Sequence, residues 1–231
     1  MILKLLWPEI CPFCGKTYRR GICPACVEKI KKLSISQPVC MRCGKPVYKI
    51  EQEFCHDCAG KKHYFDRGKA LWLHKIPVSN SIYQFKYHNQ RVFGKYYAME
   101  LYKQFAYIIR EWDPELIIPI PLHIKRRRKR GYNQSAIIAK ELGRLCGLPV
   151  NEKILKRVRY TSPQKKLDHT NRKKNLHNAF AVTEGFYGIR RVLLIDDIYT
   201  TGNTINEAAR KLKEAGVEKV FFLTVSIGQG Y

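Results

Sequence analysis

Eight cysteines stand in four Cys-x-x-Cys pairs within residues 11–58: Cys11/Cys14, Cys23/Cys26, Cys40/Cys43 and Cys55/Cys58. Two residues between thiols let both sulfurs face one ion from a tight turn, where backbone amides can donate to the thiolates. Four pairs therefore make two sites of four sulfurs. The turn Cys11-Pro-Phe-Cys14-Gly15-Lys16 recurs 29 residues later as Cys40-Met-Arg-Cys43-Gly44-Lys45, and a second pair follows each copy. Sequential ribbons are expected, with one Zn²⁺ on Cys11, Cys14, Cys23 and Cys26 and another on Cys40, Cys43, Cys55 and Cys58. The alternatives are interleaved pairing (first pair with third, second with fourth) and fewer than two zincs. With every ligand position taken by sulfur no site is left for an activated water, so the zinc is expected to be structural. A disulfide framework would use the same cysteines in an oxidising compartment. The opening MILKLLWPEI is too short for a secretory signal core, which points to the reducing cytosol and to metal.

A second constellation lies in residues 192–204, Val-Leu-Leu-Ile-Asp196-Asp197-Ile-Tyr-Thr200-Thr201-Gly202-Asn203-Thr204. An apolar run, two acids and a hydroxyl-rich turn read as a strand feeding a helix. The hydroxyls of Thr200, Thr201 and Thr204, the amides around Gly202 and Asn203, and the positive end of the helix can surround a phosphate. Asp196 and Asp197, at the carboxyl end of a strand, can accept hydrogen bonds from vicinal ribose hydroxyls. The expected ligand is a ribose phosphate. There is no GxxxxGK[ST] loop, and no GxGxxG lies between a strand and a helix.

The elements that must position these groups follow from apolar periodicity. Residues 116–120, 191–195 and 220–225 are short apolar runs expected as buried parallel strands. Residues 135–145 and 205–215 have helical spacing, the second stopped by Gly216, and a helix is expected from about Gly94. The expected domains are a double zinc ribbon over 1–63 and an α/β domain over 64–231. The ribbon segment is too short to fold on apolar burial alone, and metal would supply the difference.

Charge narrows the partners. The chain has 231 residues, with 43 Lys+Arg against 19 Asp+Glu for a formal net charge of +24. A 45% hydrophobic content excludes a disordered tail. No stretch free of Asp, Glu, Lys and Arg exceeds the last twelve residues, so no spanning helix is expected. Residues 120–180 alone carry 17 cations and three acids. Six adjacent cations, Lys125, Arg126, Arg127, Arg128, Lys129 and Arg130, must face solvent or a polyanion. They exceed what one pyrophosphate needs, which favours a nucleic acid backbone. Contact with about six phosphates of a single strand would give a log-log salt slope of about −4. Lys86, among Tyr83, Phe85, Tyr87 and His88, interleaves cation and rings as strand-binding surfaces do.

The zinc-ribbon pairs, the acid-threonine turn, residues 118–123 (Ile-Pro-Ile-Pro-Leu-His) and residues 130–134 (Arg-Gly-Tyr-Asn-Gln) together carry a resemblance. Thr161, Gln164, Leu167, Arg172, Asn175 and the Ala179-Phe180 pair extend it. The chain resembles the ComF family of late competence proteins, a double zinc ribbon joined to a type I phosphoribosyltransferase-like domain. The resemblance implies cytosolic handling of single-stranded DNA in natural transformation, alongside other DNA-uptake or recombination proteins. It also implies binding of phosphoribosyl pyrophosphate (PRPP) with Mg²⁺. By the same resemblance residues 157–174 correspond to a closing flap, with Arg172 and Lys173 on the pyrophosphate. No acceptor and no general base is named by it. An active phosphoribosyltransferase on a small acceptor and a nucleotide-sensing RNA-binding regulator are the alternative functions.

Overall fold

The computed structural model describes residues 10–18, 21–159, 178–183 and 187–228. Thr161, Gln164, Leu167, Arg172, Lys173 and Asn175 lie outside the described residues. At the centre is an all-parallel sheet of four strands: β1 (Arg67–Leu73), β2 (Leu116–Pro119), β5 (Arg191–Tyr199) and β6 (Lys219–Ile227). They lie in the order β1-β6-β5-β2. A short antiparallel hairpin joins β3 (Leu155–Arg157) to β4 (Phe180–Val182). The helices are α1 (Pro24–Lys31), α2 (Val78–Tyr87), α3 (Phe93–Trp112), α4 (Ile124–Arg130), α5 (Gln134–Cys146) and α6 (Asn203–Glu214).

Strands covered on both faces read as continuous apolar runs, and here the two-residue period divides them between two cores. Leu193 and Ile195 of β5, with Phe221, Leu223 and Val225 of β6, face buried residues of α2, α3 and α5. Val192 and Leu194, with Val220 and Phe222, face α6 on the other side. In α6, Ile205, Ala208, Ala209 and Leu212 form the buried stripe that the sequence spacing predicts. Each wholly buried Leu or Ile contributes about 1.5–3 kcal/mol of hydrophobic stabilisation. The two ribbons divide likewise: Cys11 and Cys26 belong to the first core, while Cys40, Cys43, Cys55 and Cys58 belong to the second.

Several elements differ from the sequence reading. β5 runs past the 191–195 apolar stretch to Tyr199, still paired with β6 there, so Asp196 and Asp197 lie within the strand, near its carboxyl end. The strand β1 was not anticipated, because Arg67-Gly-Lys breaks its apolar pattern. Gly68 is needed there, since a Cβ would overlap the ring of Phe222 on the neighbouring strand. The basic run is the helix α4, closed at Gly131 with φ 78°. Among the described residues no helix is long and apolar enough to cross a membrane.

Candidate functional site

Two clusters of cysteines are preassembled for metal. Cys11, Cys14, Cys23 and Cys26 form one, and Cys40, Cys43, Cys55 and Cys58 the other, with all ligand atoms of each set within 4.8 Å of one another. The pairing is sequential. The Sγ atoms of Cys14 and Cys23 are 3.7 Å apart, and those of Cys43 and Cys55 3.6 Å. A tetrahedron with Zn–S bonds of about 2.3 Å has edges of about 3.8 Å, so both donor sets fit structural Zn²⁺. The second set is the more enclosed, all four of its cysteines being buried, whereas Cys14 is exposed. Buried Lys45 and half-buried Asp57, from its two metal-binding turns, form an ion pair that sequence reading missed.

The carboxyl ends of β2 and β5 open into a cleft of about 470 Å³. Its walls include Asp196, Asp197, Thr200 and Thr204, with Lys86, Tyr87, Arg126, Lys129, Arg130 and Arg157. Gly202 caps α6 with φ 77° and, having no side chain, supplies no cap hydrogen bond to the start of the helix, whose positive end faces the turn. Around this turn the Thr201 Oγ1 and Asn203 Nδ2 atoms are buried with no hydrogen-bond partner among the described residues. Orphaned donors clustered at a helix start are the chemistry that a phosphate satisfies.

Asp197 pairs with Lys86, whose Nζ lies 2.8 Å from its Oδ1. Lys86 therefore stands inside the cleft, not on the outer strand-binding surface where sequence reading placed it. Asp196 Oδ1 accepts from the Ser135 hydroxyl and from the Asp197 amide, both at 2.9 Å. Burial, and then the Asp197 charge, push the Asp196 carboxyl up to about 7, against the pull of Lys86. Desolvation, and then repulsion from Arg126, bring Arg157 down to about 10, while Asp196 opposes the shift. Ser135 carries no sequence signal for this role, and Arg157, read from the sequence as the start of the flap, is the last residue of β3 and lines the cleft. They reach the cleft only because α5 starts, and the β3–β4 hairpin stands, beside the end of β5.

This electrostatic arrangement makes a pH prediction. Asp196 has a folded-state pKa near 7 against 3.8 unconstrained, so between those values the native state holds the extra proton. Stability must then fall as pH rises from about 4 to 7, with the full penalty above 7. Asp196→Asn should remove that slope and raise stability at pH 8 by on the order of 2 kcal/mol, discounted for partial solvation. Urea unfolding at pH 5 and pH 8 checks it. Equal destabilisation at both pH values would contradict it.

The α4 cations face two ways. Arg126, Lys129 and Arg130 line the cleft, while Lys125, Arg127 and Arg128 are exposed and absent from its walls. Arg130 donates to the Tyr87 hydroxyl at 3.0 Å, and its guanidinium lies 4.8 Å from the ring centroid. Tyr83 packs on Tyr87 at 4.9 Å and on His88 at 5.5 Å between centroids, both tyrosines about half exposed. Phe85 is fully buried and is core. Tyr132 is buried, with Arg91 stacked 4.8 Å from its ring.

Comparison with known proteins agrees with this construction. Residues 2–59 match the double zinc ribbon domain model, and residues 128–227 match the phosphoribosyl transferase domain model. The chain is 35% identical over 207 residues to competence protein F of Haemophilus influenzae, covering 87% of this chain and 88% of the relative. It is 28% identical over 203 residues to DNA utilization protein YhgH of Escherichia coli K12, covering 87% of each. With competence protein ComFC of Bacillus subtilis it shares 26% over 205 residues, covering 84% of this chain and 79% of that protein. Two four-cysteine clusters, a parallel-sheet domain that matches the phosphoribosyl transferase model, and 35% identity to competence protein F over most of both chains make this chain a member of the ComF family.

Proposed function

We propose that the chain is a cytoplasmic competence protein that binds PRPP, as its Mg²⁺ complex, in the cleft and holds single-stranded DNA on the adjoining basic and aromatic face. The observation that carries the reading is the division of α4, which lends three cations to the cleft and presents three outward. The 5-phosphate suits the Thr200–Thr204 turn and the positive end of α6. The ribose hydroxyls suit Asp196 and Asp197. The pyrophosphate suits Arg126, Lys129, Arg130 and Arg157, with Arg172 and Lys173 proposed to join from outside the described residues. Mg²⁺ would be held mostly by ligand oxygens and water.

DNA suits the outer face. An internal nucleotide of DNA lacks the 2′-hydroxyl and has its 3′-oxygen in a phosphodiester, so it offers the acid pair nothing. Its backbone matches Lys125, Arg127 and Arg128, and its bases match the half-exposed rings of Tyr83 and Tyr87. The roles of the H. influenzae and B. subtilis relatives in competence, and of YhgH in DNA utilization, as their names give them, support the same assignment.

The test is titration of zinc-loaded protein with PRPP and Mg²⁺, and then with single-stranded and duplex DNA at several salt concentrations. The expected result is saturable PRPP binding and a preference for single strands. Absence of any PRPP response would remove the cleft assignment, and equal affinity for duplex would reduce the DNA assignment to bulk charge. Arg127→Gln/Arg128→Gln should flatten the single-strand salt slope by about 1.4, at roughly 0.7 per phosphate lost, and leave PRPP affinity within about twofold. An unchanged salt slope, or a loss of PRPP affinity well beyond twofold, would overturn the two-faced reading of α4.

A further inference from the structure

The second metal centre and the phosphate turn share a wall. Tyr199, the last residue of β5, is fully buried, with its ring stacked on Phe222 at 4.8 Å and 4° between planes. Phe65 meets both rings edge-on, 6.2 Å from Tyr199 and 5.1 Å from Phe222. On the metal side the Lys45 ammonium stands 5.8 Å from the Tyr199 ring centroid. On the ligand side the Tyr199 hydroxyl lies where a Cβ on Gly202 would be, and it has no partner among the described residues.

Lys45 is not a bystander to the metal. It follows Cys43 by two residues, its carbonyl accepts from the Cys40 amide at 2.7 Å, and its ammonium pairs with Asp57 next to Cys58. The ion pair thus fastens the two metal-binding turns together, with Lys45 buried against the tyrosine. Without a metal the four buried cysteines lose the ion that closes them, and this pair loses its frame. Close-packed interiors transmit such a change to the next contact and do not absorb it. Among the described residues the first centre packs elsewhere. Cys11 and Cys26 pack with Phe13, Ile30 and Trp72 in the core on the other face of the sheet.

We propose that Tyr199 joins the second zinc centre to the phosphate turn, so that zinc at Cys40, Cys43, Cys55 and Cys58 and a sugar phosphate at Thr200–Thr204 strengthen each other's binding, while the first centre is independent of the ligand. The inference rests on the reading of the turn as a sugar-phosphate site. Tyr199 and Lys45 are positioning residues here, acting through the turn and not by touching the ligand. Coupling between two bound species is reciprocal, so it can be read from either side.

The experiment follows zinc leaving the intact, two-zinc protein into a zinc-selective chromophoric chelator, with and without PRPP and Mg²⁺. Freed thiols are trapped by alkylation and located by mass spectrometry. PRPP should slow release from the second centre at least fivefold and leave the first within about 1.5-fold. Tyr199→Ala should erase that difference while still holding two zincs, and Tyr199→Phe, which keeps the ring, should preserve it. Equal protection of both centres, or of neither with PRPP bound, overturns the proposal. Hydrogen exchange without ligand supplies a second readout. Exchange at residues 200–206 should rise at least tenfold when the second zinc has gone and stay unchanged when only the first has. A rise without PRPP binding by the intact protein would sustain the coupling and refute the sugar-phosphate reading, whereas no rise would refute the coupling itself.

Discussion

Gly202→Ala should lower PRPP affinity at least 100-fold while the sheet and both zinc centres survive. Gly202 has φ 77°, a region in which an L-residue costs about 1–2 kcal/mol, and its Cβ would also overlap the hydroxyl and ring of Tyr199. Tyr199 cannot retreat, being stacked on Phe222 and edged by Phe65. The turn must therefore move outward, taking with it the amides that would meet the phosphate. Displacements near 1 Å cost about 10²-fold wherever such geometry is needed. The stability loss should be about 1–3 kcal/mol by urea unfolding. Gly216→Ala is the control, since Gly216 has φ 97° but open space around its missing Cβ. It should lose about 1 kcal/mol and bind PRPP normally. Adding Tyr199→Phe to Gly202→Ala should recover part of the stability and little of the affinity. Calorimetric affinity within threefold of the parent protein would show that the turn does not grip the ligand.

Removal of both zincs should be more drastic, lowering the thermal midpoint by more than about 15 °C with loss of near-ultraviolet ellipticity. Six of the eight ligand cysteines are core residues: Cys11, Cys40 and Cys43 are 0% exposed, Cys58 2%, Cys26 3% and Cys55 5%. Structural zinc contributes on the order of 10 kcal/mol, comparable with the whole net stability of a domain. Each ribbon is tied to one core of the sheet, so both cores loosen. Trp72, packed edge-on against Phe13 at 5.5 Å, should report the first centre through a red shift of its emission. Equimolar zinc should restore the midpoint. A midpoint within about 3 °C after complete metal removal would show that the sheet holds without the ribbons.

Much of this was legible beforehand where short-range chemistry decides the outcome. Cys-x-x-Cys spacing and the 29-residue repeat identified both zinc sites and their sequential pairing, because two thiols on one turn can reach one ion whatever surrounds them. The apolar runs at 116–120, 191–195 and 220–225 became parallel strands because both faces are covered, which makes nearly every interior position apolar, Thr224 being the buried exception in the last run. The acid-threonine turn was readable because its residues are contiguous in the chain.

Contacts between residues far apart in sequence were not readable. Lys86 looked like a cation among surface rings, and only the docking of α2 beside the end of β5 pairs it with Asp197. The run 125–130 showed its charge, but helical rotation decided which cations turn into the cleft. Tyr199 looked like a turn residue, yet the extension of β5 buries it between the second cysteine cluster and the start of α6. The sequence alone determined which chemistry is present, since ligand type, charge and hydroxyl placement are local properties of the chain. Only the tertiary structure decided which groups act on one another, because burial and charge depend on neighbours that the chain brings together from as far apart as Lys45 and Tyr199.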